Sequence, residues 1–148
     1  MLKIKLSHPD CMPKIGTEYS AGMDLKAFFG TNQNSDLRAI QPGKDLMIDT
    51  GVAMSIPEGW CGFVLPRSST GKLHCKLANT VGLIDSDYTG NIKLLVHNYG
   101  KEIVTLENFQ RLCQIVVVPH YPVHNFEIVD SLEETDRGTG GFGSTGSK

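Results

Sequence analysis

The sequence has no apolar run long enough to cross a bilayer as a helix, no C-x-x-C pair and no G-x-x-x-x-G-K-[ST] loop. The first absence argues against a membrane span, the second against the common zinc and redox motifs, and the third against a P-loop nucleotidase. The opening residues, Met1-Leu2-Lys3-Ile4, alternate in polarity rather than forming the apolar stretch of an export signal. The expectation is a soluble chain acting in the cytoplasm, or in the host cytoplasm if it is viral, with no membrane partner. Four cysteines (Cys11, Cys61, Cys75, Cys113) are spaced like no metal site. In such a compartment they are expected to be buried free thiols. An excess of positive charge is also missing: the net charge is -2 and the pI about 6.2. General nucleic-acid binding through phosphate neutralisation is therefore not expected, and a polyanion could bind only at a local cluster of cations.

What is present is a series of short β-prone runs. Leu2 to Leu6 alternates, and Asp45 to Ile56 holds two apolar runs broken at Thr50-Gly51. Gly62 to Leu65, Ile92 to Val96, Ile103 to Leu106, Ile115 to Val118 and Phe126 to Val129 follow the same composition. Proline or glycine stands at most junctions, which predicts an all-β sandwich, jelly roll or barrel. The one helix candidate is Gly71 to Ala78. The 148 residues suit one domain, with no repeat and no linker.

The end of the chain differs. Arg137 to Gly146 reads R-G-T-G-G-F-G-S-T-G, with five glycines. So much backbone freedom opposes a fixed place in a core. A division follows, with a β domain over 1–136 and a flexible arm over 137–148. The arm suits a lid: Arg137 can fork onto phosphate, Gly143, Ser144 and Thr145 can donate to it, and Phe142 can stack on a base.

Two further segments carry chemistry. Pro66-Arg67-Ser68-Ser69-Thr70-Gly71 follows a strand and offers a guanidinium and three hydroxyls to an anion. Asn79 to Gly90 reads as a hairpin between two strands, with Asp85, Asp87 and Tyr88 at its turn. Taken alone, Asp and Gly there are ordinary turn residues.

Five segments in order resemble the motifs of the homotrimeric dUTPase family. They are Ala21-Gly22-Met23-Asp24-Leu25-Lys26-Ala27, Pro66-Arg67-Ser68-Ser69, Gly82 to Gly90, Arg111-Leu112-Cys113-Gln114, and Arg137 to Gly146. Together they span nearly the whole chain. There are departures: Phe109 stands where the fourth motif usually has Gly, so a different local turn is expected, and Ser69 stands where Gly is more common. Thr31 to Arg38 is a longer polar loop than usual.

The resemblance implies a jelly-roll β-barrel with a glycine-rich C-terminal arm, and an enzyme, a dUTP diphosphatase. Its reaction would turn dUTP into dUMP and pyrophosphate by attack of water at the α-phosphate, keeping uracil out of DNA and supplying dUMP for thymidylate. Asp85 would orient and deprotonate the water, which fits the demand for a placed base at an in-line displacement. Tyr88 would pack under the sugar and exclude a 2′-hydroxyl. The backbone at Leu83, Ile84 and Lys93, with the Asn79 side chain, would read the uracil edge. Cytosine would leave donors unpaired there. Arg67, Ser68, Ser69 and Gln114 would hold phosphates, and Arg137, Phe142, Gly143, Ser144 and Thr145 would close over them. Mg2+ would be held mainly by the triphosphate and waters, with Asp24 touching those waters rather than the ion. A homotrimer with sites at subunit boundaries is implied as well.

Two rival functions differ in class. A dCTP deaminase of the same superfamily would need a Glu beside the pocket, and none lies between Arg67 and Gly100. A trimeric regulatory protein could keep the pocket and act by binding another protein. Elsewhere, His120 and His124 are spaced for a helical metal pair, but Pro122 between them opposes the helix. Trp60 reads as core or subunit interface. An Asp49–Arg111 ion pair is a candidate that the sequence leaves open.

Overall fold

The structure, a computed structural model, describes residues 1–32 and 36–141. Eleven strands form: β1 (Lys3–Leu6), β2 (Lys14–Ile15), β3 (Met23–Lys26), β4 (Leu37–Ile40), β5 (Asp45–Ser55), β6 (Trp60–Pro66), β7 (Cys75–Leu77), β8 (Gly82–Ile84), β9 (Asn91–Asn98), β10 (Val104–Glu107) and β11 (Arg111–Pro119). They make a four-stranded sheet β1-β5-β9-β7, a five-stranded sheet β2-β3-β11-β6-β8 and the pair β10-β4. Every pairing is antiparallel, and the arrangement is jelly-roll-like, as expected.

One core serves all three sheets. In β9, Ile92, Leu94, Val96 and Asn98 point inward, following the two-residue period of a half-buried strand. Leu25, Val64 and Ile115 answer from the five-stranded sheet, and Ile40 and Leu106 from the pair. All four cysteines are buried and free. Burial pushes the Cys113 thiol up to about 12 and raises Cys11 and Cys75 as well.

The Thr50-Gly51 break proves to be an irregularity inside one strand. β5 shifts register against β9 between Asp49 and Ala53, and Gly51 sits at φ 66. A Cβ on Gly51 would collide with Cys11 Sγ, so glycine is required there for both backbone and space.

Three expectations change. The helix is α1 (Ser68–Lys72), not 71–78. His74 at φ 53 ends the turn, and Cys75–Leu77 pairs with β9, burying Cys75 and Leu77 by strand alternation. Asn79 to Gly90 is not a hairpin: β8 pairs with β6 and β9 with β5 and β7, so the segment crosses between sheets. Phe126 to Val129 forms no strand. Phe126 and Ile128 are exposed, since no sheet edge of this chain reaches them.

Phe109 takes the left-handed backbone, φ 61, that glycine adopts without strain. Its N–H donates to Ala27 O at 2.7 Å, and its ring lies 5.8 Å from Phe28 and 5.5 Å from His8. Loss of glycine therefore does not remove that conformation, and aromatic packing helps hold it. Among the described residues, no helix is long and apolar enough to cross a membrane.

Candidate active site

The register of the five-stranded sheet sets out the end of the sheet that carries Asp24 and Gln114. Lys14, Asp24, Gln114 and Leu65 lie in one row across β2, β3, β11 and β6. Residues in such a row share a face, so Asp24 and Gln114 project together. Two rows on, past Leu25 and Cys113, Arg111 pairs with Lys26. Simple alternation would turn Arg111 to the opposite face from Gln114. A bulge between Arg111 and Cys113 takes up one residue, so Leu112 and Cys113 are both buried and Arg111 emerges beside Asp24.

Asp24 then accepts two cations. Arg67 Nε donates to Oδ1 at 2.9 Å and Arg111 Nη1 to Oδ2 at 3.0 Å. The carboxylate side chain is only 16% exposed, so these bonds are charge-assisted and weakly screened. Arg67 Nη1 also donates to Ser69 Oγ at 3.2 Å. The Arg67 N–H donates to Leu112 O, and Thr70 Oγ1 donates to the same oxygen, fastening the α1 turn to the bulge. A cavity of about 370 Å³ opens here, lined by Gly22, Asp24, Arg67, Ser68, Arg111 and Gln114 among others. Gly22 lies close beneath Gln114: a Cβ there would stand 2.9 Å from Gln114 Oε1 and the amide would have to turn aside. With two guanidinium groups against one carboxylate, the cavity suits an anion.

Asp24 is not placed to bind a metal directly, because two guanidinium groups occupy both of its oxygens. Each oxygen keeps a further lone pair that can accept from water, which agrees with contact through metal-bound water. Among the described residues, no group of three or more His, Cys, Asp and Glu side chains is gathered to hold an ion.

A second cluster gathers around the turn after β8. Tyr88 N–H donates to Asp85 O at 3.2 Å and Tyr88 OH to Asn91 O at 2.8 Å. Asn91 Nδ2 in turn reaches Asp49 Oδ1 at 3.1 Å, Asp49 Oδ2 at 3.2 Å and Ser7 Oγ at 3.1 Å. Asn79 Nδ2 donates to Val81 O at 3.4 Å, at the start of the same segment. Leu83 and Ile84 lie on β8, and Lys93 projects to the outer side of β9, two residues beyond Asn91.

The two clusters are far apart in one chain. Ile84 pairs with Gly62, which places Asp85 beside the start of β6, whereas Arg67 follows its end. Six residues of extended strand separate these levels by about 20 Å. Asp24, Arg67, Ser68, Ser69 and Gln114 are thus brought together. Asn79, Leu83, Ile84, Asp85, Tyr88 and Lys93 are held elsewhere. Arg137 is exposed and donates from Nε to its own Gly140 O at 3.0 Å. Phe142, Gly143, Ser144 and Thr145 lie outside the described residues.

Arg111 was not among the expected site residues. The proposed partner Asp49 instead accepts from Gly51 N–H and from Asn91, and Arg111 joins Asp24. Only the R-x-x-Q spacing hinted at this, and the bulge that makes it work has no sequence mark.

Comparison with known proteins agrees with this geometry. The family model for dUTPase matches residues 9–146. The deoxyuridine 5'-triphosphate nucleotidohydrolase of Escherichia phage T5 is 71% identical over 148 residues, covering 100% of both chains. That of Hahella chejuensis is 40% identical, covering 100% of this chain and 95% of the relative. Among solved structures, the Staphylococcus bacteriophage 80alpha dUTPase with dUPNHPP superposes with a TM-score of 0.82 at 26% identity, covering 99% of this chain and 98% of the other. An anion cavity clamped by two arginines, a carboxylate turn at the far end of the same strand and full-length similarity of this order lead to one conclusion: the chain belongs to the dUTPase family.

Proposed function

We infer that this chain hydrolyses dUTP to dUMP and pyrophosphate. The observation that carries the reading is the Asp24–Arg67–Arg111 cluster beside Ser68 and Gln114, in a chain similar over its whole length to deoxyuridine 5'-triphosphate nucleotidohydrolases.

The triphosphate lies in the cationic cavity. Arg67 and Arg111 keep N–H donors free after binding Asp24, since each guanidinium has five. Ser68, Ser69 and Gln114 add neutral donors. Asp85 accepts the proton of a water as its oxygen bonds to the α-phosphorus, and the bond from that phosphorus to the bridging oxygen of the β-phosphate breaks. The electron pair leaves with pyrophosphate, whose charge the arginines offset. Mg2+ would supply further neutralisation of the triphosphate when bound, and Asp24 would hold it through water. The Leu83, Ile84 and Lys93 backbone and Asn79 read uracil, and Tyr88 closes the space that a 2′-hydroxyl would need.

The separation of Asp85 from Arg67 along β6 supports assembly. One copy offers its phosphate end while a second copy offers its Asp85 turn. We place the chain in a homotrimer with sites at subunit boundaries, acting in the cytoplasm. Residues 137–148 serve as the lid arm, bringing Arg137, Phe142, Gly143, Ser144 and Thr145 to the nucleotide.

The test is incubation with dUTP, UTP, dCTP or dTTP and Mg2+, measuring pyrophosphate. Release from dUTP alone is expected. Ammonia from dCTP, or no pyrophosphate from dUTP, would overturn the reading.

A further inference from the structure

A second cavity, of about 440 Å³, lies against the other side of the arginine pair. Lys14, Lys26, Arg67 and Arg111 line it together with Leu73 and Phe109, and no carboxylate does. Its cations arise from the sheet register. Lys26 stands directly opposite Arg111, and Lys14 directly opposite Asp24. Like charges facing each other across a strand pair are destabilising. Of the carboxylates nearby, Asp24 already has both oxygens taken by Arg67 and Arg111, and that of Asp10 lies 3.7 Å from His8 Nδ1. Lys26 Nζ reaches only a neutral group, Asp10 O at 2.6 Å, and Lys14 has no hydrogen-bond or ion-pair partner among the described residues. A cleft lined by one sign of charge focuses its field and concentrates anions of the other sign.

The arginines belong to both cavities, so an anion can pass from one to the other without leaving their reach. Bond cleavage in the proposed reaction turns the β- and γ-phosphates of a triphosphate anhydride into a free pyrophosphate with an additional oxyanion. That product is a multiply charged anion of the kind that Lys14 and Lys26 can offset. We propose that the Lys14–Lys26–Arg67–Arg111 cavity is a pyrophosphate site, taking the leaving group after cleavage by adding Lys14 and Lys26 to the Arg67, Ser69 and Arg111 that it shares with the cradle for intact substrate. The proposal rests on the dUTP-hydrolysis reading for the source of its ligand, though not for the binding itself.

The experiment is calorimetric titration of the full-length protein with pyrophosphate, without Mg2+ and at low salt. A second arm measures pyrophosphate inhibition of dUTP hydrolysis. The variants are Lys14→Gln, Lys26→Gln and the double substitution, each checked for an unchanged melting temperature. Wild type should bind pyrophosphate. The double variant should weaken both the dissociation constant and the inhibition constant by about tenfold or more, while KM for dUTP stays within about twofold. Lys→Arg at both positions should restore binding. Should Lys26→Gln disturb folding through loss of the Asp10 contact, Lys14→Gln alone, whose side chain is exposed and unpartnered, carries the comparison. Absence of pyrophosphate binding, binding indifferent to both lysines, or a KM that rises in step with the inhibition constant would each overturn the proposal. If dUTP were not hydrolysed at all, the functional reading would fail, while the titration would still decide the anion site.

Discussion

Arg111 meets Asp24 at 3.0 Å from a strand position that regular alternation would turn to the opposite face. The bulge at Leu112 therefore decides the electrostatics around Asp24 and Arg67. Arg111→Gln should keep the fold, because the side chain is 38% exposed, but lower kcat/KM for dUTP. Loss of one charge-assisted contact corresponds to about 10- to 100-fold. Steady-state kinetics would show it, and an unchanged kcat/KM would remove Arg111 from the site.

Asp85 lies on an exposed turn and makes no ion pair among the described residues. Asp85→Asn should leave assembly and nucleotide binding intact while slowing turnover by about 10²-fold or more, as for loss of a general base. Single-turnover hydrolysis alongside binding of a non-hydrolysable analogue separates the two effects. Normal turnover would exclude Asp85 as the base.

Sugar selection is expected to depend on a chain of contacts. Tyr88 OH bonds Asn91 O, and the Asn91 side chain bonds Asp49. Tyr88→Ala should raise the kcat/KM of UTP relative to dUTP. Asp49→Ala should shift the same ratio less, by loosening Asn91 beneath the ring. A ratio unmoved by Tyr88→Ala would assign sugar reading to another residue.

Light scattering should give about 49 kDa, three times the 16.2 kDa chain. A chain ending at Asp136 should stay assembled and lose most activity, because closure over substrate is removed rather than folding. Mixing it with Asp85→Asn subunits under exchange should restore part of the activity if arms act on neighbouring copies. Mixtures that remain inactive would mean that each arm serves its own subunit.

Alkaline pH should destabilise the fold through Cys113. Its thiol keeps its proton up to about 12 in the folded chain, because burial raises it, against an ordinary value of 9.0. The unfolded chain loses that proton first, so it binds fewer protons than the folded one and stability falls as pH rises from the ordinary value toward the raised one. At about 1.4 kcal/mol per unit, the loss is on the order of a few kcal/mol. Urea unfolding at successive alkaline pH values should show the decline, and Cys113→Ala should flatten it.

The strands were legible because burial imposes a period of two, as in Ile92, Leu94 and Val96. Local composition also located the Pro66 to Gly71 turn. The helix limits were misread because Cys75 and Leu77 suit a helix as well as a strand, and only the pairing with β9 decides between them. The hairpin was misread for a similar reason: β8 and β9 are neighbours in sequence, but each finds its partner in a different sheet. Arg111 escaped notice because a bulge is an event of register between two strands, invisible along either one. Phe126 and Ile128 read as a strand, and their side chains do have that preference, but β structure needs a second edge that this chain does not offer them.

The seven residues of β6 work as a ruler with consequences for dosage. If, as proposed, the Asp85 end and the Arg67 end serve one site from two copies, a solitary newly made chain is expected to be chemically silent. Activity then scales with a power of protein concentration rather than linearly when the enzyme is scarce. On that assembly, dUTP early in expression should persist until enough copies have met, so that the onset of hydrolysis is a threshold in time.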